Sequence, residues 1–144
     1  MPEHTFTSFG KILMGLGQLN GLISAENIDQ TGPRPALVQP GVNVAYGDYI
    51  VKTRDCRGYH GPDLASAKNN DPKGPFVPNL TPGGDLANWT EDNFLSAIKT
   101  GALPNGKTLT DAMPWKVFST LTDDEIKAAW MYIHSLPAMP TPKQ

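Results

Sequence analysis

Apolar positions recur at helical spacing in four stretches of the chain, and no stretch alternates with the period of a convincing strand. The plainest is 123–135, where Ile126, Ala129, Trp130 and Ile133 fall on one face. Thr122 and Glu125 form a capping box at its start, and Leu136-Pro137 stops it. Residues 90–100 read as a second helix. Thr90 is its N-cap, Glu91 and Asp92 suit the positive end of the dipole, and Gly101 suits the position after the last turn. Phe94, Leu95, Ala97 and Ile98 would form its buried side. Residues 45–55 read as a third helix, with Gly47 placed to let the 123–135 helix approach closely at Tyr132. Residues 9–25 carry helical spacing weakened by Gly10, Gly15, Gly17 and Gly21.

The connections change this picture of a helical domain. Glycine and proline number 14 each in 144 residues, well above average usage. Residues 31–44 hold Pro33, Pro35 and Pro40 and read as an extended tether. Residues 61–88 are nearly all turn chemistry, and a loop of that length inside a compact domain calls for a function such as wrapping a ligand. The expected organisation is an N-terminal extension over 1–44, a domain over 45–137 and a Pro-rich tail over 138–144.

Charge narrows the partners. The net charge is −2 and no basic stripe runs along the chain, so a nucleic-acid partner is set aside. No run of about 18 apolar residues exists to span a bilayer. No signal-peptide pattern stands at residues 1–6, so a chain exported to the periplasm would be a mature or trimmed form. The single cysteine, Cys56, excludes an internal disulfide.

Candidate chemistry centres on Cys56-Arg57-Gly58-Tyr59-His60. The C-x-x-C-H motif attaches haem: two thiols add to its vinyl groups and the histidine binds iron. Here Tyr59 stands where the second cysteine belongs, and C-x-x-x-H alone is a weak signal. Of three histidines, His4 lies at the terminus and His134 near the end of the last helix. Of five methionines, Met14 and Met131 fit gap-filling core positions. Met113 instead precedes Pro114 in a loop, which biases it to an extended backbone and can aim its soft thioether inward. Met139 is a weaker second choice.

The order of motifs downstream resembles the class I cytochrome c family, especially single-haem domains of bacterial respiratory and dehydrogenase systems. Tyr46-Gly47-Asp48-Tyr49-Ile50-Val51 looks like the first helix of that family, and His60-Gly61-Pro62-Asp63-Leu64 like its motif continuation. Asn79-Leu80-Thr81-Pro82, Trp89 to Gly101, Ala112-Met113-Pro114-Trp115 and Leu121 to Pro137 follow in the family's order. The resemblance implies an all-α cytochrome c fold of about four short helices with long loops around one haem c. His60 and Met113 would be the axial ligands and Cys56 a single thioether anchor, with Tyr59 packed beside the unreacted vinyl. Asn79 would belong to the loops around the cofactor. Trp89 and Trp115 would flank its edge, one of them offering an indole N–H to a propionate or both simply packing in the core. A prolyl carbonyl would accept from the second His60 nitrogen, Pro75 being the first choice and Pro78 the next.

The function implied is one-electron transfer between redox protein partners rather than enzymatic catalysis. The location implied is periplasmic or otherwise extracytoplasmic, with association to a membrane-bound respiratory or dehydrogenase complex. Three alternatives stay open. The domain could be a structural or docking subunit of such a complex, motivated by the apolar stretch 9–25 and the tether. It could hold haem without a covalent link, or none at all. Or Met113 could leave the iron and give peroxidase-like chemistry.

Overall fold

Asn43 begins the ordered helical frame by accepting from the Tyr46 N–H at 2.9 Å, which caps a helix over Val44–Thr53, here α2. A computed structural model describes residues 7–16, 31–32, 37–66 and 77–142 of the chain. Its contacts divide the chain into two units, Met1–Ala36 and Leu37–Gln144. In the first unit the described part is the helix Ser8–Gly15, α1, where Phe9 and Ile12 are exposed. Residues 17–25 of the apolar stretch and residues 33–36 of the Pro-rich tether lie outside the described residues, as does His4.

In the second unit, α2 is followed by α3 over Cys56–His60, α4 over Glu91–Thr100, α5 over Trp115–Phe118 and α6 over Asp123–Ser135. The fold is all-α: among the described residues the only β-type pairing is one isolated bridge, Ala102 to Thr108. Among the described residues six helices stand where about four were expected. The difference has local causes. The expected helix over 45–55 ends at Thr53, because Asp55 turns left-handed at φ 54 and restarts the chain as α3. The single turn α5 follows Pro114, whose fixed φ preorganises a helix start in a stretch read as loop.

Caps place the other two helices where sequence puts them. Thr90 and Asn93 exchange bonds across the start of α4, and Gly101, at φ 75, closes its end. Thr122 and Glu125 do the same for α6, the Thr122 N–H donating to Glu125 Oε2 at 2.7 Å. That bond is the main reason the Glu125 carboxyl sits below its ordinary pKa. Thr122→Ala should therefore lower stability by about 1 kcal/mol. Glu125→Gln keeps the cap oxygen and loses only the charge. Because the folded pKa is depressed, the charge stabilises above the ordinary carboxylate pKa and stops doing so as pH falls through the folded value. The melting temperatures of wild type and Glu125→Gln should differ at neutral pH and converge in acid.

The core lies between α2, α4 and α6. Ile50, Val51, Phe94, Ile98, Ile126, Ala129, Trp130 and Ile133 are buried together. The expected faces of α4 and α6 are present, with Leu95 only partly buried. Met131 was read as core and is instead 37% exposed, since it falls on the outer side of α6 next to buried Trp130 and Tyr132. At the α2–α6 crossing, a Cβ on Gly47 would stand 2.0 Å from the Ala128 carbonyl oxygen and 2.7 Å from Tyr132 Cβ. The helices meet there because Gly47 has no side chain.

Candidate haem site

His60 ends the short α3 and is 5% exposed, the most enclosed of the polar groups around the domain's main cavity. Its position is fixed from behind. The His60 carbonyl accepts from the Ser66 N–H at 3.1 Å, and Gly61 takes φ 81 to turn the chain. The returning segment 77–80 is tied to this turn twice: Leu80 N–H donates to the Leu64 carbonyl at 2.8 Å, and Ser66 Oγ donates to the Val77 carbonyl at 2.6 Å. Between these ties lies the Pro78 carbonyl, 3.0 Å from His60 Nδ1. A carbonyl can only accept, so Nδ1 carries the proton and Nε2 keeps its lone pair. Burial pushes the imidazole down from its ordinary pKa, opposed by the Pro78 bond. The ring is thus neutral at physiological pH, the form that binds a metal. Pro75, the first choice for this partner, lies outside the described residues; the carbonyl found here is the second choice.

α3 is held to α6 by Arg57. Its guanidinium donates to the Pro62 carbonyl and to the Tyr132 hydroxyl, and lies over the Tyr132 ring at 6.0 Å. Neither contact was foreseen; a cation inside the attachment motif gave no sign of which helix it would meet. Cys56, at the other end of α3, is partly buried and packs against the core. Burial pushes its thiol up to about 11, so it remains protonated at neutral pH and is neither a free nucleophile nor a thiolate ligand.

Met113 reaches the same cavity from the opposite part of the sequence. Its N–H donates to the Thr110 carbonyl at 3.1 Å, and its carbonyl accepts from Trp115 N–H at 2.7 Å. These two bonds fold the loop into a turn before α5.

The cavity has a volume of about 650 Å³ and mostly apolar walls from Leu80, Leu86, Phe94, Ile98, Phe118 and their neighbours. It falls within the roughly 300–1,000 Å³ range of cofactor and ligand sites. Cys56, Tyr59, His60, Trp89 and Met113 all line it. Tyr59 is also 57% exposed, so it stands at the mouth rather than in the interior. Asn79, Trp115 and Met139 do not line it. Asn79 is fully buried in the loop behind His60, Trp115 packs on Gly101 with Lys116 5.8 Å from its ring, and Met139 lies against Gly83.

This donor set fits a haem rather than a bare ion. Among the described residues no group of three or more His, Cys, Asp or Glu could cage a metal. One neutral imidazole, one thioether and one thiol around a large apolar space suit an iron whose equatorial positions are already filled by a macrocycle. His60 and Met113 would hold its iron and Cys56 would supply the covalent link.

The chain is 28% identical over 102 residues to the gluconate 2-dehydrogenase cytochrome c subunit of Pantoea cypripedii, a match covering 62% of this chain and 22% of that protein. It is 30% identical over 94 residues to the cytochrome c subunit of the quinone-dependent alcohol dehydrogenase of Gluconobacter oxydans, covering 60% and 20%. A third match, 26% identical over 125 residues and covering 78% and 25%, is the fructose dehydrogenase cytochrome subunit of Gluconobacter japonicus. Its relatives are cytochrome subunits of dehydrogenases. The chain spans about a fifth to a quarter of the length of these curated relatives. No family model matches the chain, and no solved structure matches it. No helix among the described residues is long and apolar enough to cross a membrane.

Proposed function

We propose that the domain is a one-electron carrier with a single c-type haem, gripped axially by His60 and Met113 and joined to Cys56 by one thioether. The observation that carries this reading is the meeting of those three residues at one apolar cavity, with His60 neutral and its Nδ1 engaged by Pro78. Haem, when bound, supplies an iron that cycles between Fe(II) and Fe(III). His60 presents Nε2 because its other nitrogen is occupied. Met113 adds a soft, neutral ligand that favours the reduced state. Leu86, Phe94 and Ile98 exclude water, which also raises the potential. With His60 and Met113 both holding the iron, the domain would offer no position to substrate and would pass electrons rather than activate oxygen or peroxide.

The partner we propose is a dehydrogenase complex outside the cytoplasm, because the relatives are cytochrome subunits of gluconate, alcohol and fructose dehydrogenases. Tyr59, at the cavity mouth, stands where the motif has its second cysteine, so one vinyl group would stay unreacted. A dithionite-reduced spectrum and a pyridine haemochrome test the whole reading. The expected result is a low-spin haem whose band lies slightly red of an ordinary c-type haem, since one vinyl still extends the conjugation. Haem staining should survive denaturing electrophoresis. Complete extraction of haem by acid acetone rules out the thioether, and a chain that takes up no haem when made with the c-type attachment machinery rules out the carrier.

A further inference from the structure

The loop that presents Pro78 to His60 is also held from its far side. Just beyond Pro78, Asn79 and Thr81 are both fully buried, although both are polar and neither lines the cavity. Their hydrogen bonds run in the opposite direction, to the C-terminal segment. Asn79 Nδ2 donates to the Met139 carbonyl at 2.8 Å and to Thr141 Oγ1 at 3.2 Å. Met139 N–H donates to Thr81 Oγ1 at 3.1 Å. Asn79 Oδ1 accepts from both Thr81 N–H at 2.9 Å and Thr81 Oγ1 at 2.8 Å, which joins the two residues into one unit. The loop closes on itself through Asn79 N–H to Asp85 Oδ2 at 2.9 Å and Asp85 N–H to the Asn79 carbonyl at 2.9 Å. A Cβ on Gly84 would stand 2.3 Å from Asn79 Cγ, so the loop wraps the amide with no room to spare.

A fully buried amide and hydroxyl cost free energy unless satisfied, and most of their satisfaction here comes from residues 139–141. The segment after α6, read from sequence as a tail, is thus a strut behind the axial histidine.

We propose that Thr81, with Asn79, is a positioning residue for His60: by clasping the 139–141 segment it keeps the Pro78 carbonyl on His60 Nδ1. This rests on the haem reading given above. The physical consequence follows from the Pro78 bond. A carbonyl accepting from Nδ1 makes the imidazole a more basic ligand, and a more basic ligand favours Fe(III). Loosening the clasp lengthens that bond, weakens the donor and shifts the equilibrium toward Fe(II).

The test uses the full haem-loaded chain and the substitutions Thr81→Val and Thr81→Ser. Valine fills the volume but leaves Met139 N–H and Asn79 Oδ1 without the hydroxyl; serine restores it. Thr81→Val should move the Fe(III)/Fe(II) equilibrium about tenfold toward Fe(II), the lower end of what losing an outer-shell partner does. For a one-electron couple that is an upward shift of about 59 mV. The Met–iron charge-transfer band should stay, and amide exchange at Met139 should accelerate. Thr81→Ser should return the potential to wild type. A lowered melting temperature with an unmoved potential makes the clasp purely structural and overturns the proposal. If Thr81→Val does not fold, Thr141→Val, which removes the hydroxyl that accepts from Asn79 Nδ2 and adds no charge, puts the same question with the same expected sign. A wild type that binds no haem refutes the carrier reading instead, so the two failures are distinguishable.

Discussion

Gly47→Ala should lower the stability of this domain by about 3 kcal/mol, the upper part of the usual cost of overpacking, and its melting temperature by more than about 10 °C. Propensity argues the other way. Alanine inside a helix is favoured over glycine by about 1 kcal/mol, so an exposed helical glycine would be improved by the change. Gly47 is not exposed. The new methyl would lie 2.0 Å from the Ala128 carbonyl oxygen and 2.7 Å from its carbon. Backbone inside a 13-residue helix cannot step aside locally, so α2 must move away from α6 as a body. That movement strips contacts from Val51, Ile126 and Ile133, each no more than 2% exposed. Thermal unfolding followed by circular dichroism checks the value. Gly15→Ala serves as the comparison, because nothing lies within 4 Å of a Cβ there, and it should be neutral to slightly stabilising. A Gly47→Ala chain as stable as wild type would mean that the two helices do not cross at this residue.

His60→Ala and Met113→Ala should separate the two axial roles on the carrier reading. Removal of His60 takes away the buried donor whose tautomer and orientation are set by Pro78, and no other histidine among the described residues lines the cavity. The expected product is a chain with little or no haem and no low-spin spectrum. Met113→Ala should keep the haem, since Cys56 and His60 remain. Its potential should fall on the order of 0.1 V, within the roughly 0.8 V range that axial ligands command. The charge-transfer band should vanish and peroxide reactivity should appear, because the change opens a position at the iron. Titration against dyes of known potential and a peroxidase assay measure both outcomes. Equal spectra for Met113→Ala and wild type would remove Met113 from the ligand set.

Much of this architecture was legible along the chain because the signals are local. Thr90 with Gly101, and Thr122 with Leu136-Pro137, mark two helices within a residue at each end, since capping depends on neighbours three or four positions away. Gly47 announced the crossing with α6 because only a glycine tolerates it. What stayed hidden depends on returns of the chain. The break at Asp55 needs a left-handed turn that asparagine-like side chains permit but do not require. Which proline carbonyl meets His60 depends on the Leu64–Leu80 and Ser66–Val77 ties, and neither has a sequence mark. The Pro-Asn-Leu-Thr run held a clue, since two polar residues interrupting apolar ones near a buried histidine invite the question of what satisfies them. Arg57 was unreadable for the same reason: its partner Tyr132 is 75 positions away.

The α2–α6 crossing also orders events in time. Tyr46 and Glu125, which touch at 3.5 Å, are 79 positions apart. Closing a loop of that length costs about 4 kcal/mol of chain entropy. The buried face of α2 therefore has no partner until the last helix has been made and delivered. Until then the wall formed by Ile126, Ala129 and Ile133 is missing, and the space beside Cys56 and His60 stays open. The apolar space beside Cys56 and His60 is thus completed only when residues 123–135 return to pack on α2.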